Sequence, residues 1–309
     1  MSKEIEDKLE TIPVIKYAVR PLKKVKLGFL GGLSLYELME IYLLGVAEGA
    51  VTYRAAAIAF SFFMALFPFA LFVLNLVPYI PLAGFQTDFL RFVEDSVPPK
   101  TYSAIYTILS DIMNNSHSGL LSSGFLLSIF VMANGVNSVL GGFETSHHVI
   151  VKRGFVRQYL VALAISLLLS FILIITVATI VVFEVFIQST KIQDVLSDNI
   201  PILVWSRYLF LLLMILMTTS IMLKFGTKHT GKRSFISIGS VFTTILIVII
   251  SYFFGIWVVK FSKYNQLYGS IGTLLILMFY IWLNCVILLL GFELNAAVNR
   301  IKHKNLFTK

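Results

Sequence analysis

Cysteine is almost missing from this chain of 309 residues: the single Cys285 excludes an intrachain disulfide and a thiolate metal site. Charge is scarce as well. Asp, Glu, Lys and Arg make up 13% of the residues, against about 25% in soluble globular domains. Histidine is limited to His117, His147, His148, His229 and His303, scattered over four segments. Hydrolysis of a phosphodiester needs a clustered acid and base or a metal site, and no histidine–aspartate constellation supplies one, so nuclease chemistry is excluded and no cofactor is expected. Glu144-Thr145-Ser146-His147 has metal-ligand spacing in one copy only, where di-metal bundles use a pair, and is read as a surface polar turn. The first 30 residues mix Glu4, Glu6, Asp7 and Glu10 with lysines, so no signal peptide is expected. No period of 20 to 50 residues recurs.

What fills the chain instead is hydrocarbon. Hydrophobic residues reach 58% and the mean hydropathy is +0.87, values that belong in a bilayer. Uncharged runs longer than about 18 residues cross about 30 Å of membrane. The expected architecture is all-α, with six transmembrane helices near 55–80, 120–142, 159–187, 201–225, 234–259 and 273–290. Residues 1–32 form a basic cytoplasmic arm, 33–300 a single transmembrane helical domain and 301–309 a cytoplasmic tail. Ser34-Leu35-Tyr36-Glu37 has capping-box spacing and opens an N-terminal amphipathic helix to about residue 50, with Glu37, Glu40 and Glu48 on one face. Residues 81–119 contain two helix-like pieces, 86–95 and 99–113, around Pro98-Pro99, and predict an exterior helical hairpin.

Basic residues orient the spans. Eight Lys and Arg through Arg54, three at 152–157, four at 224–233 and four from Arg300 onward fall on one side, and six on the other, which accounts for all 25. This bias predicts both termini in the cytoplasm and a multi-pass protein of the plasma membrane.

Polar residues recur with helical spacing. Arg54, Ser61, Pro68 and Asn75 are seven apart, so one side of the first span carries its polarity. Asn134, Asn137, Gly141 and Glu144 share an arc of the second span, and Asn284, Leu288, Gly291 and Asn295 line one face of the last. Three candidate groups follow. Arg54, Glu144 and Glu293 lie at the inner ends of three spans and form an inner charge cluster. Ser61, Asn75, Asn134, Asn137, Asn284 and Asn295 are the expected lining of a polar cavity, and Glu184 with Arg207 an outer pair. Intramembrane polar residues of this kind mark either a pathway or a packing face.

Tyr268-Gly269-Ser270-Ile271-Gly272, the apolar span after it and Gly291-Phe292-Glu293-Leu294-Asn295-Ala296 resemble the C-terminal signature of the BrkB/YihY family of bacterial membrane proteins, once labelled ribonuclease BN. Two further matches support the resemblance: the alanine-rich Ala55-Ala56-Ala57-Ile58-Ala59-Phe60 leading to Leu66-Phe67-Pro68, and Asn134 to Glu144 followed by a basic turn. The resemblance implies a polytopic inner-membrane protein linked to envelope integrity, serum resistance and lipid export, with no settled biochemical activity. Together with the polar stripes it favours a transporter or flippase-like protein for a lipid or amphiphile. A non-transporting assembly or structural factor of the envelope is the alternative, and an ion or proton exchanger using Glu144 or Glu293 the third. The expected partners are membrane lipids, with anionic headgroups at the cytoplasmic face, and not nucleic acid.

Overall fold

The computed structural model describes residues 36, 50–76, 85–96, 106, 109–110, 118–146, 149, 153–188, 200–227, 234–268 and 270–307. Among these residues every regular element is helical. The helices are α1 (Val51–Leu76), α2 (Phe85–Ser96), α3 (Ser118–Glu144), α4 (Phe155–Gln188), α5 (Ile200–Phe225), α6 (Ile238–Tyr268) and α7 (Ser270–Phe307). Five of them, α1 and α4 through α7, are long and apolar enough to cross a membrane. α3 is 27 residues long, uncharged until Glu144 at its last position, and therefore about 40 Å in length.

Six helices close into a ring. Neighbours run α1, α3, α4, α5, α6, α7 and back to α1, while α3 and α7 also touch across it and α2 rests on α4. α2 is one arm of the expected exterior hairpin; most of the other arm, like the basic arm and nearly all of the amphipathic helix, lies outside the described residues.

Lipid is as apolar as leucine, so burying leucine against leucine gains little, and close approach of backbones has to supply the packing. Small residues permit it at two seams. Between α1 and α3, a Cβ on Gly135 would stand 3.7 Å from the Ser61 carbonyl oxygen, and Gly142 faces Ile58. Between α6 and α7, Gly239 and Gly291 leave no room for a Cβ, each being backed by the other's backbone and by Asn295 or Thr243. The other side of α6 shows what faces the membrane: Ile238, Val241, Ile245, Val248, Tyr252 and Ile256 are exposed at helical spacing.

The core sits at one end of the ring. Phe143 and Phe292 stack with centroids 4.2 Å apart and planes 9° apart, surrounded by fully buried Ile58, Leu140, Leu223 and Leu289. Two boundaries differ from expectation. The polar stretch 264–272 is nearly all helix, since only Gly269 separates α6 from α7, and α7 runs well past Leu290 to Phe307. Packing explains the second, because Ala296, Ala297 and Val298 are buried and hold the extra turns.

Candidate functional site

At the packed end, three helix termini and the body of α7 come to one level. α3 finishes at Glu144, α5 finishes at Phe225, and α1 starts at Val51. A helix that ends here leaves C-terminal carbonyls without an intrahelical donor, and burial makes that expensive. Two arginines from other helices or loops supply the donors.

Arg54, in the first turn of α1, donates from Nη1 to the Gly142 carbonyl at 2.7 Å and from Nη2 to Glu293 Oε1 at 2.6 Å. The second oxygen of Glu293 accepts from Ser146 Oγ at 2.7 Å. The pair is deeply enclosed, the side chains being 9% and 0% exposed for Arg54 and Glu293. Thr145 adds its hydroxyl to the same Gly142 carbonyl at 3.0 Å. One guanidinium therefore ties α1 to α3 and α7 together, and the carboxylate that neutralises it has both oxygens occupied, which is what a buried ion pair requires.

Arg153 does the same for α5. It donates to the Phe225 and Gly226 carbonyls at 2.9 and 3.0 Å, while its backbone N–H donates to Glu144 Oε1 at 3.2 Å. Burial pulls the Arg153 guanidinium below the usual arginine range; the Glu144 carboxylate opposes that shift and Arg157 adds to it. The turn after α3 is only partly a surface turn: Glu144 and Ser146 are buried, while Thr145 between them is exposed.

A third device starts α6. Ser237 and Ser240 cap each other reciprocally, Ser240 N to Ser237 Oγ at 3.1 Å and Ser237 N to Ser240 Oγ at 2.9 Å. Asn295 completes it, accepting from Gly239 N at 2.8 Å and donating to Ser237 Oγ at 2.7 Å.

The structure brings Arg54 and Glu293 into contact and gives Glu144 a different partner, Arg153. The residues expected to line one polar cavity are dispersed. Ser61 accepts from Ser138 at 2.8 Å in the α1–α3 seam, Asn284 donates to the Tyr280 carbonyl of its own helix, and Asn295 is a cap. Asn134 and Asn137 are half-buried and lie four and seven residues after exposed Phe130, on the outward side of α3. The side chains of Asn75 and Glu184 lie outside the described residues, which leaves Arg207 of the outer pair, half-buried with its guanidinium 5.4 Å from the Tyr208 ring centroid.

Sequence reasoning missed Ser146, Arg153 and the capping role of Asn295. The Ser237-x-x-Ser240 spacing and the four-residue spacings Gly239–Thr243 and Gly291–Asn295 carried part of that signal.

Away from the charged layer the interior changes character. On α1 the buried stripe Ala55, Ala59 and Phe62 continues at Leu66, which is 37% exposed. On α4 the stripe Ala162, Ser166 and Leu169 continues at Leu173, and on α7 Cys285 and Ile281 lead to Leu274, both 41% exposed. On α1 and α4 these positions repeat at i+4, i+7 and i+11 and share the face that packs inward at its buried end, although Ala65 and Ile172 beside Leu66 and Leu173 stay buried. On α5, Arg207, Leu211, Met214 and Thr218 form the corresponding stripe, with Met214 packed on the core. The inward faces emerge roughly 20 to 30 Å from the Arg54–Glu293 layer at 1.5 Å per residue.

Comparison with known proteins gives consistent results. Residues 44–308 match the family described as Virulence factor BrkB. YfkH of Bacillus subtilis (strain 168), whose name carries the words "ribonuclease-like", is 28% identical over 251 residues, covering 81% of this chain and 90% of that protein. A UPF0761 membrane protein of Coxiella burnetii (strain Dugway 5J108-111) is 24% identical over 264 residues, covering 84% and 91%. Another UPF0761 membrane protein, from Kangiella koreensis, is 24% identical over 252 residues, covering 80% of this chain and 60% of that protein. No solved structure matches the chain. Among the described residues no group of three or more His, Cys, Asp or Glu side chains is placed to hold a metal ion.

Proposed function

This chain belongs to the Virulence factor BrkB family of membrane proteins, and from that premise we propose that it moves a lipid or a similar amphiphile across the bacterial plasma membrane. In this reading the half of the ring where the inward stripes emerge receives the molecule, and the Arg54–Glu293–Ser146 layer is the closed end. The basic bias of the sequence supports the cytoplasmic face for that closed end.

The supporting observation is the exposure of Leu66, Leu173 and Leu274 on the helix faces that continue the buried stripes. A ring built only as a scaffold has reason to fill its interior along its whole length, because unfilled space forfeits dispersion contacts. Instead the filling thins among the described residues, where Leu66, Leu173 and Leu274 are exposed while Ala65 and Ile172 on the same turns stay buried. Acyl chains suit the exposed leucines. The charged layer suits a gate, since it joins three helices through one side chain whose two terminal nitrogens find their acceptors only when all three are together.

Proteoliposomes carrying a fluorescent phospholipid test this. Chemical quenching of the outer leaflet should report faster exchange between leaflets with the protein than without it, and Leu173→Trp, which fills the proposed path, should slow that exchange. Wild-type protein that is folded in the vesicles yet exchanges lipid no faster than protein-free vesicles would refute transport of lipid and favour the assembly role.

A further inference from the structure

We infer that the corner where α5, α6 and α7 meet is a separate binding site for the phosphate headgroup of an anionic phospholipid. The corner holds a pocket of about 210 Å³ whose lining includes none of Arg54, Ser146, Glu293, Leu66, Leu173 or Leu274, so the inference does not rest on the transport reading. Its walls come from the last turn of α5 (Leu223, Lys224), the approach to α6 (Ser234, Ser237) and α7 (Val298, Asn299).

Lys224 makes the pocket cationic. Its ammonium lies 5.2 Å from the Phe235 ring centroid and 5.6 Å from that of Phe225, so two aromatic faces hold it in place. Among the described residues it pairs with no carboxylate, and the acidic groups at this end, Glu144 and Glu293, are occupied by Arg153, Arg54 and Ser146. Asn299 uses one amide N–H on the Asn295 carbonyl at 2.6 Å, which leaves a second N–H for a ligand. Ser234 is exposed at the rim, and the sequence between Thr227 and Ser234 carries three further cations. The Gly239 and Ser240 amides of α6 take no part, because Asn295 and Ser237 already accept from them.

Continuity with the membrane face selects a lipid over a free phosphate. The pocket's rim residue Ile238 begins the exposed stripe Val241, Ile245 and Val248 on α6, beside exposed Met217 and Leu213 on α5. A headgroup held at Lys224 leaves its acyl chains to run down that apolar seam, with the phosphate at the depth where a helix ends.

Native mass spectrometry of the purified full chain, released from mixed micelles holding phosphatidylglycerol and phosphatidylcholine in equal amounts, tests the site. Wild type should retain phosphatidylglycerol preferentially. Lys224→Gln should weaken that retention about five-fold, Lys224→Arg should restore it, and Ser234→Trp should block the pocket with the charge kept. Arg91→Gln, which removes an exposed cation on α2, is the control and should change nothing. Equal losses in Lys224→Gln and Arg91→Gln, or undiminished retention in Ser234→Trp, would overturn the site. Inorganic phosphate at millimolar concentration is the other arm: Lys224-dependent protection against heat by phosphate alone, as strong as that given by phosphatidylglycerol, would overturn the lipid as the source.

Discussion

Replacing Glu293 with glutamine should destabilise the ring by more than any substitution on its membrane face. The carboxylate is fully enclosed and its partner nearly so; glutamine preserves the volume and the Ser146 contact but leaves the Arg54 charge buried without compensation. Removing one member of a buried pair costs about 3 to 5 kcal/mol, and the lower end applies here because Arg54 keeps the Gly142 carbonyl. About 3 kcal/mol is roughly a hundred-fold change in the unfolding equilibrium, measurable by titrating the purified protein with a denaturing detergent and following helix content. The discriminating measurement is the double variant Arg54→Met with Glu293→Leu. Replacing both charges by apolar groups removes the desolvation cost along with the attraction, so the double variant should be more stable than Glu293→Gln and within about 1 to 2 kcal/mol of wild type, the remainder being the lost Gly142 cap. If the double variant instead lost as much as the two single losses combined, Arg54 and Glu293 would be uncoupled, and a charged layer holding the end of the ring would be wrong.

Gly239→Ala and Gly291→Ala should each cost about 2 to 3 kcal/mol in the same titration, because the methyl added at Gly239 meets the Gly291 carbonyl and the one added at Gly291 meets the Thr243 hydroxyl with the Gly239 carbonyl behind it. Gly142→Ala should cost less, since what it meets first is the tip of Ile58 at 2.8 Å. Asn295→Ala should cost about 1 to 2 kcal/mol and speed amide hydrogen exchange at Gly239, whose donor it strips of its acceptor; unchanged exchange there would remove Asn295 from the cap. Arg153→Ala should loosen the ends of α5 and α3, seen as faster exchange over the turns ending at Phe225 and at Glu144, whose buried carboxylate loses its countercharge, with the first turn of α1 unaffected.

Much of the fold was legible because the membrane enforces a long, uncharged helix wherever the chain crosses, and the runs near 159–187, 201–225 and 273–290 could be read as little else. Helix ends were less legible. α7 continues past Leu290 on the strength of packing by Ala296, Ala297 and Val298, and burial of an alanine leaves no trace in local sequence. The seven-residue spacing of Arg54 and Ser61 was visible, but not what the face meets: Ser61 meets Ser138, and Arg54 meets a carboxylate 239 positions away. Periodicity tells which residues share a face. It does not tell whether that face turns to a cavity, to lipid or to another helix, and so Ser61, Asn284 and Asn295, grouped by character, separate by partner.

The charged layer also follows from where these helices stop. A soluble helix can end in water, which satisfies its last carbonyls at no cost to the rest of the fold. α3 stops against Phe143, Phe292 and Leu223, where water is excluded, and α5 ends with Phe225 exposed but Gly226 buried, so the buried carbonyls at these ends need donors that the protein brings. Arginine suits the task better than lysine because its planar fork serves two acceptors at fixed angles, and both arginines use it that way, Arg54 on a carbonyl and a carboxylate, Arg153 on two carbonyls. Bringing a guanidinium to that depth in turn requires a carboxylate nearby, which accounts for Glu293 beside one and Glu144 beside the other. The polarity at this end of the ring is therefore a consequence of burying helix termini, and any movement that parts α1 from α7 must satisfy the Arg54 guanidinium in some other way.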